Sequence, residues 1–222
     1  NKLLRELAIK ASGTFQHSIQ VSNICENIVR ELGGNALLIR AGALYHDIGK
    51  LEMPMYYIEN KTLGINPHDE LTPEESAKII ISHVVKGINL AKRNNLPDVI
   101  IDFIRTHHGT SYCTYFYNKY KIEHGDNNIK DDSIFRYRGP LPYSKETAIL
   151  MIVDSVEAAT RSLKEPNEEN IRDLIEKIID NIIKYNQLDN SDISFKDIYT
   201  IKKLLTNHML SIYHSRISYN NY

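Results

Sequence analysis

The sequence predicts an all-α helical bundle. Three observations lead there. Apolar residues recur at helical spacing, no stretch alternates convincingly as a strand would, and start and stop signals bracket the periodic segments. Helices are expected over about residues 3–11, 14–32 and 35–48. Thr72-Pro73-Glu74-Glu75 is a capping-box start with proline in the first turn. The helix it opens runs through Ile79, Ile80, His83, Val84, Gly87 and Leu90 and ends at Asn94-Asn95-Leu96-Pro97. Pro97 opens the next helix, and Gly109 closes it after His107-His108. Residues 121–143 are polar, with Gly, Asn and two prolines, and read as a long loop of the kind often tied to function. A helix over 144–163 follows. Ile171, Leu174, Ile175, Ile178, Ile179, Ile182 and Ile183 then form a clean stripe within 167–186. Ser194 is the expected cap of a last helix carrying Ile198, Ile201, Leu205, Met209 and Ile212.

No repeat, low-complexity tract or boundary divides the chain, so residues 1–222 are expected to form one domain. Its core should span about 10–163, with helices in 164–222 as an appendage that lacks candidate ligands. The 222 residues are 42% hydrophobic and 25% charged, enough to bury a core without covalent staples. A net charge of −1 argues against coating a nucleic-acid polymer or a polybasic attachment to membranes. Two cysteines, Cys25 and Cys113, make no disulfide framework and point to a reducing compartment. No apolar run approaches the ~20 residues of a membrane span, and no signal peptide is visible. The chain begins at Asn1 rather than Met, which suggests a piece of a longer protein.

The chemistry concentrates in histidine and aspartate. His17 shares a helix face with Val21, Ile24 and Ile28, at spacings of 4, 7 and 11, and so points inward. His46-Asp47 ends the apolar run in ALYHDIGK, His83 lies on the inward stripe of its helix, and His107-His108 sits at a helix end. Asp154 lies in ETAILMIVDSVEAA, where a lone carboxylate is costly to bury unless it is paired or binds a metal. Each residue alone has an ordinary reading. An inward histidine is usually satisfied by a carbonyl, Asp154 could pair with Arg161 or a lysine, and His107-His108 could complement a helix C-terminus. Jointly, seven imidazoles and carboxylates at helix ends and inward faces suit iron, manganese or zinc. They are too many for one ion and suit two with a shared carboxylate. A water bridging two ions becomes hydroxide near neutral pH and can attack a phosphoester. Asp47 is the natural bridging group. Lys50, nearly a turn on, is either a phosphate contact or a solvated lysine at a helix end. Gly49 is expected to let the chain turn away from the metals.

The order His, His-Asp, His, His-His, Asp resembles that of HD-domain phosphohydrolases with a two-metal site. GTFQHSIQVSNICE (13–26), YHDIGKLEMPMYYIENK (45–61), NPHDELTPEESAKIIISHV (66–84), RTHHGTS (105–111) and FRYRGPLPYSKETAILMIVDSVEAATRSL (135–163) resemble the cytosolic domain of the 7TM-HD family, the PgpH-type cyclic di-AMP phosphodiesterases. The resemblance covers roughly 10–163. It implies an HD-domain bundle that hydrolyses cyclic di-AMP to linear pApA with two divalent ions, iron or manganese rather than zinc. By analogy His17, His46, Asp47 and Asp154 would hold one ion, and Asp47, His83, His107 and His108 the other. It also implies transmembrane and extracytoplasmic regions upstream, with this chain as the cytoplasmic domain of an integral membrane protein. HD-GYP proteins, which degrade cyclic di-GMP, share part of the pattern. They carry Glu after His-His and then a Gly-Tyr-Pro motif; here Gly109 follows and the motif is absent. The competing readings are an HD hydrolase of cyclic di-GMP, dinucleoside polyphosphates or dNTPs, and a sensor that binds a cyclic dinucleotide without turnover.

A cyclic dinucleotide needs phosphate anchors and flat surfaces. Tyr112, Tyr115, Phe116, Tyr117 and Tyr120 follow the His pair, and rings of this kind stack on bases. Phe116 and Tyr120, at i, i+4, read equally as core. Arg136, Tyr137 and Arg138 in the long loop, with Ser144 and the amide of Lys145 at a helix start, are the expected phosphate and base contacts. His68, His124, His208 and His214 are expected at the surface.

Overall fold

Helices begin where a side chain can accept the otherwise unpaired first-turn amides. The computed structural model describes residues 1–61, 66–125, 131–163 and 166–217, with backbone only for 214–217. Asn1 accepts from the Leu3 amide and opens α1 (Lys2–Lys10), and α2 (Ser12–Leu32) follows directly after Ala11. Asn35 caps α3 (Ala36–Tyr45) by accepting from the Leu38 amide. Thr72 and Glu75 cap α4 (Pro73–Arg93) reciprocally, as the sequence predicts, and α5 (Asp98–Thr106) starts after Pro97. After α6 (Thr114–His124), Ser144 and Thr147 box the start of α7 (Lys145–Thr160). Asn167 caps α8 (Glu168–Lys184), and Ser194 exchanges bonds with Asp197 ahead of α9 (Phe195–Ile217). Among the described residues there is no strand, only an isolated antiparallel bridge between Tyr112 and Arg136.

Two elements differ from expectation. The third helix stops at Tyr45 rather than near 48, and the chain continues in short 3-10 turns over Ile48–Glu52, Pro54–Tyr56, Ile58–Asn60 and Pro67–Glu70. Pro54 and Pro67 supply no amide donor, so a continuous α-helix cannot form there. Conversely, α6 occupies residues that carry little helical patterning, because Phe116 is its only buried residue. The expected loop from 121 therefore starts only after His124, and its residues 126–130 lie outside the described ones.

The principal core joins α2, α3, α7, α8 and α9 through Val21, Ile39, Leu150, Ile175 and Leu205. The C-terminal helices are thus part of the same core, although the sequence offers no ligand there to tie them to it. A second cluster packs α1 against α4, α5 and the turn after α3, through Leu7, Ile48 and Ile104. A third, under α6, gathers Ala77, Cys113, Phe116 and Phe135. Both cysteines are buried and free.

Glycine decides how closely the turn after α3 approaches α4. A Cβ on Gly49 would lie 1.8 Å from the His83 carbonyl oxygen and 2.6 Å from the Gly87 nitrogen. Its φ is not among the positive ones, so the residue serves a close approach rather than the turn expected from sequence. That approach brings His46 and Asp47 up to His83. Gly49→Ala should therefore destabilise. Reduced unfolded-chain entropy would favour alanine by about 0.4–1 kcal/mol, whereas overpacking against fixed backbone costs about 1–3 kcal/mol or more. Urea unfolding is expected to show a lowered midpoint; an unchanged or raised midpoint would contradict the packing argument.

Candidate metal centre

Five helices deliver the donors. α2 contributes His17, the end of α3 His46 and Asp47, α4 His83, the end of α5 His107 and His108, and α7 Asp154. His46 is fully buried, and His17, Asp47, His83, His107 and Asp154 are 6% exposed or less. Three rings are oriented in one way: the Nδ1–H of His46, His83 and His107 donates to the carbonyl three residues back, at 2.7, 2.6 and 2.9 Å. A carbonyl can only accept, so Nδ1 carries the proton and Nε2 is left facing the centre. His17 reaches the same result through Glu157, whose Oε2 lies 2.6 Å from Nδ1.

Asp47 lies between two groups of donors. Its Oδ2 is 3.7 Å from His17 Nε2 and 3.3 Å from His46 Nε2. Its Oδ1 is 3.3 Å from His83 Nε2 and 3.7 Å from His107 Nε2. Asp154 Oδ1 closes the first group, 2.9 Å from His17 Nε2 and 3.5 Å from His46 Nε2. His83 and His107 bring their Nε2 atoms to 3.1 Å of each other. Three overlapping sets have donor atoms within 4.8 Å of one another: His17–His46–Asp47, His46–His107–Asp154 and His83–His107–His108. Ligands about 2.1 Å from a common ion lie roughly 3–3.5 Å apart, which is the observed spacing. Among the described residues, the buried His46 Nε2 and Asp47 Oδ1 have no hydrogen-bond partner. Unsatisfied buried polar atoms are rare, and two that aim into a histidine–carboxylate cluster fit divalent metal binding.

The charges divide the cluster. Burial opposes the His46 cation, but Asp47 and Asp154 outweigh it and raise its pKa to about 10. His17 rises likewise against burial, through Asp154 and Glu157. Burial also opposes the two aspartates' charges, yet Lys50 and His46 hold Asp47 well below the usual carboxylate range, and His17 and His46 do the same for Asp154. On the other side, burial and the neighbouring rings push His107 down to about 3 and His108 well below its ordinary value. Burial lowers His83 as well. Those three rings are neutral, with lone pairs available.

Lys50 extends its Nζ to 2.6 Å from Asp47 Oδ2 and 2.9 Å from Glu59 Oε1. These partners outweigh its burial and raise its pKa. A cavity of about 960 Å³ opens beside the centre and shares His108, Tyr57 and Glu59 with its surroundings. Tyr112, Tyr115, Arg136 and Tyr137 line it. Tyr137 stacks on the His108 ring at 4.1 Å. Tyr112 is engaged by Tyr117, 4.5 Å away in parallel, and by the Arg136 guanidinium, 3.8 Å from the ring centre, while Asp132 accepts its hydroxyl. Tyr115 is 74% exposed. Phe116 is buried, and Tyr120 packs on Phe135.

Arg138 is exposed and outside the lining. Ser144 spends its hydroxyl on the α7 cap, and Lys145 pairs with Asp197 at 3.4 Å. Neither joins the cavity, because α7 reaches the centre only at Asp154, nearly three turns further on. His68, expected at the surface, is 6% exposed. The turn Pro67–Glu70 folds it against Phe116, where its Nε2 lies 2.9 Å from the Tyr56 carbonyl oxygen. His124 is exposed, His208 is half-buried, and the His214 side chain lies outside the described residues. Three polar partners escaped the sequence reading: Glu157, Glu59 and Gln187. Only Glu157 left a signal, its i, i+3 spacing from Asp154 on an apolar helix. Gln187 accepts from the Thr110 amide at 2.9 Å across 77 residues, a contact no local pattern marks.

Residues 14–159 match the HD domain family. The chain belongs to that family. As an HD domain it is 44% identical over 217 residues to the cyclic-di-AMP phosphodiesterase PgpH of Bacillus subtilis (strain 168), covering 98% of this chain and 30% of that protein. The same identity and coverage hold for PgpH of Listeria monocytogenes serotype 1/2a (strain 10403S). The chain thus spans about a third of the length of these relatives. The crystal structure of the L. monocytogenes PgpH HD domain in complex with cyclic-di-AMP superposes with a TM-score of 0.91 at 42% identity, covering 96% of this chain and 98% of that one. Among the described residues no helix is long and apolar enough to cross a membrane.

The charge division gives a pH signature for the metal-free HD domain. The raised His46 contributes stability that is present below about pH 6.5 and lost as pH rises through about 10. The depressed His107 works in the opposite sense: its neutral ring loses stability as pH falls from about 6.5 toward 3. Urea midpoints after chelation should therefore peak near pH 6.5 and fall at both about 5 and about 8.5. A flat profile would contradict the division.

Proposed function

We propose that this HD domain is a metal-dependent phosphodiesterase that hydrolyses cyclic di-AMP to linear 5′-pApA. One observation carries the reading. Asp47 is a buried carboxylate whose oxygens face two separate groups of imidazoles, beside a cavity of about 960 Å³. On this reading His17, His46, Asp47 and Asp154 hold one divalent ion, and Asp47, His83, His107 and His108 the other. A donor set of imidazole and carboxylate without thiolate suits iron or manganese. Bound there, the ions supply Lewis acidity toward phosphate and a nucleophile at neutral pH.

The chain's own residues bind and orient. Lys50 keeps Asp47 ionised and contacts Glu59 and Tyr57, both of which line the cavity, so its charge lies just behind the wall that a phosphodiester would approach. Tyr115 offers an exposed ring, and Tyr112 with Arg136 a braced platform and a cation. Similarity to PgpH proteins supports cyclic di-AMP as the substrate. The loop after the His pair supports the same choice over cyclic di-GMP. Gly109 has φ +49°, and a Cβ there would meet Gln187 Oε1 at 2.5 Å, so the Glu of HD-GYP proteins would strain the backbone and displace Gln187. By the same similarity, the chain is the cytoplasmic domain of an integral membrane protein with transmembrane and extracytoplasmic regions upstream; its net charge of −1 argues against a nucleic-acid polymer as partner.

Anaerobic turnover of cyclic di-AMP and cyclic di-GMP, side by side with manganese or iron, tests the reading. Preference for cyclic di-AMP with pApA as product is expected, and Asp47→Asn should lower kcat at least ~100-fold. Equal use of both substrates, or no turnover by metal-loaded chain, would overturn it. Tyr115→Ala should raise KM about 5- to 100-fold with kcat held, since stacking is worth about 1–3 kcal/mol per base; an unchanged KM would remove Tyr115 from the binding surface.

A further inference from the structure

His17 differs from the other oriented rings in what holds it. His46, His83 and His107 are aimed by neutral carbonyls of their own helices. His17 is aimed by a carboxylate from another helix, Glu157 of α7, at 2.6 Å. Its opposite edge meets Asp154 of the same helix at 2.9 Å. Residues 154 and 157 are i, i+3 neighbours, so one face of α7 clamps the imidazole at both nitrogens. Glu157 is 2% exposed and would be costly to bury alone. Arg161, one turn on, answers with a fork: Nε and Nη2 both donate to Oε1, at 2.8 and 2.7 Å. The remaining oxygen, Oε2, is left to His17. Arg161 also reaches a separate cavity of about 360 Å³ behind the clamp, so the chain of contacts runs from solvent to the centre.

The two halves of the centre are therefore unequal. The half around His17 and His46 has both Asp47 and Asp154 at 2.9–3.7 Å, while the half around His83, His107 and His108 has Asp47 at 3.3–3.7 Å and meets Asp154 more loosely, through His107. A cation is drawn first to the half with more carboxylate. An imidazole that donates to a carboxylate is also a more basic, more rigidly aimed ligand than one that donates to a carbonyl.

We infer that Glu157, braced by Arg161, is a positioning residue for His17 that makes the His17–His46–Asp154 half the first and tighter of two ion positions. The inference rests on the two-ion reading given above and concerns the order of loading rather than the substrate. Nothing in it depends on which nucleotide the cavity takes.

Manganese titration of the metal-free chain, followed by calorimetry and by paramagnetic resonance of free and coupled Mn(II), tests it. The parent should bind in two steps. Glu157→Gln keeps the shape and an acceptor but loses the charge, and is expected to weaken the tighter step about 10-fold. Glu157→Leu removes the acceptor and should weaken that step by up to about 100-fold and abolish the coupled signal. His83→Ala should instead remove the weaker step and leave the tighter one. Urea midpoints of the metal-free variants identify those that fold. A folded Glu157→Gln or Glu157→Leu chain that titrates like the parent, or that loses the step His83→Ala loses, overturns the inference. The parent titration separately reports the two-ion reading: a single step there defeats that reading, whatever the variants do.

Discussion

A buried carboxylate is tolerated only where cations or donors surround it, and Asp47 imposes that requirement on the rest of the molecule. It is 1% exposed, and its two oxygens face different helices. Satisfying both needs imidazoles from α2, α3, α4 and α5 within one coordination radius. It also needs α7 to bring Asp154 against the same rings. Lys50 meets the remaining charge, and Glu59 in turn restrains Lys50. The bundle can be read as the scaffold that makes these distances simultaneous.

Close backbone approach is the means. Gly49 against His83 and Gly87 lets the turn after α3 lie directly on α4, and Gly42 admits the Phe103 ring between α3 and α5. The cost of each missing side chain is offset by the neighbour that fills the space. The same logic operates after α5, where Gly109 makes room for Gln187. Gln187 ties the His107-His108 turn to the end of α8, so the C-terminal helices support the centre without contributing a ligand. Asn186, at φ +56°, turns the chain out of α8 and aims Gln187 inward.

Residues with local signatures were readable from the chain. The capping box at Thr72 and the stripe of α8 follow from spacing alone, because caps and periodicity are properties of neighbouring residues. The seven donors were also legible, since histidine or aspartate on an apolar helical face is anomalous by itself. Their division into two groups around Asp47 came from family resemblance, not from spacing. What misled was polarity without pattern. α6 was not foreseen as a helix, and its last residues, 121–124, passed for loop, because one buried ring, Phe116, suffices to dock it; His68 passed for surface because the fold around it is set by distant residues. Ser144 and Lys145 were read as anion contacts from a local helix start, but which way that start faces is decided by the packing of α7 on α2, α8 and α9.

The sequence by itself determined that this protein is helical, that it carries enough buried imidazole and carboxylate for a metal centre, and which family that pattern resembles. Those are matters of residue type and short-range order. Tertiary structure alone decided which oxygen of Asp47 meets which distant imidazoles, that His17 is clamped by Asp154 and Glu157, and that Gln187 braces the His107-His108 turn. Each is a contact at a few ångströms between residues 30 to 140 positions apart in the chain. Such contacts arise from how helices pack as bodies, and no residue's neighbours along the chain record them.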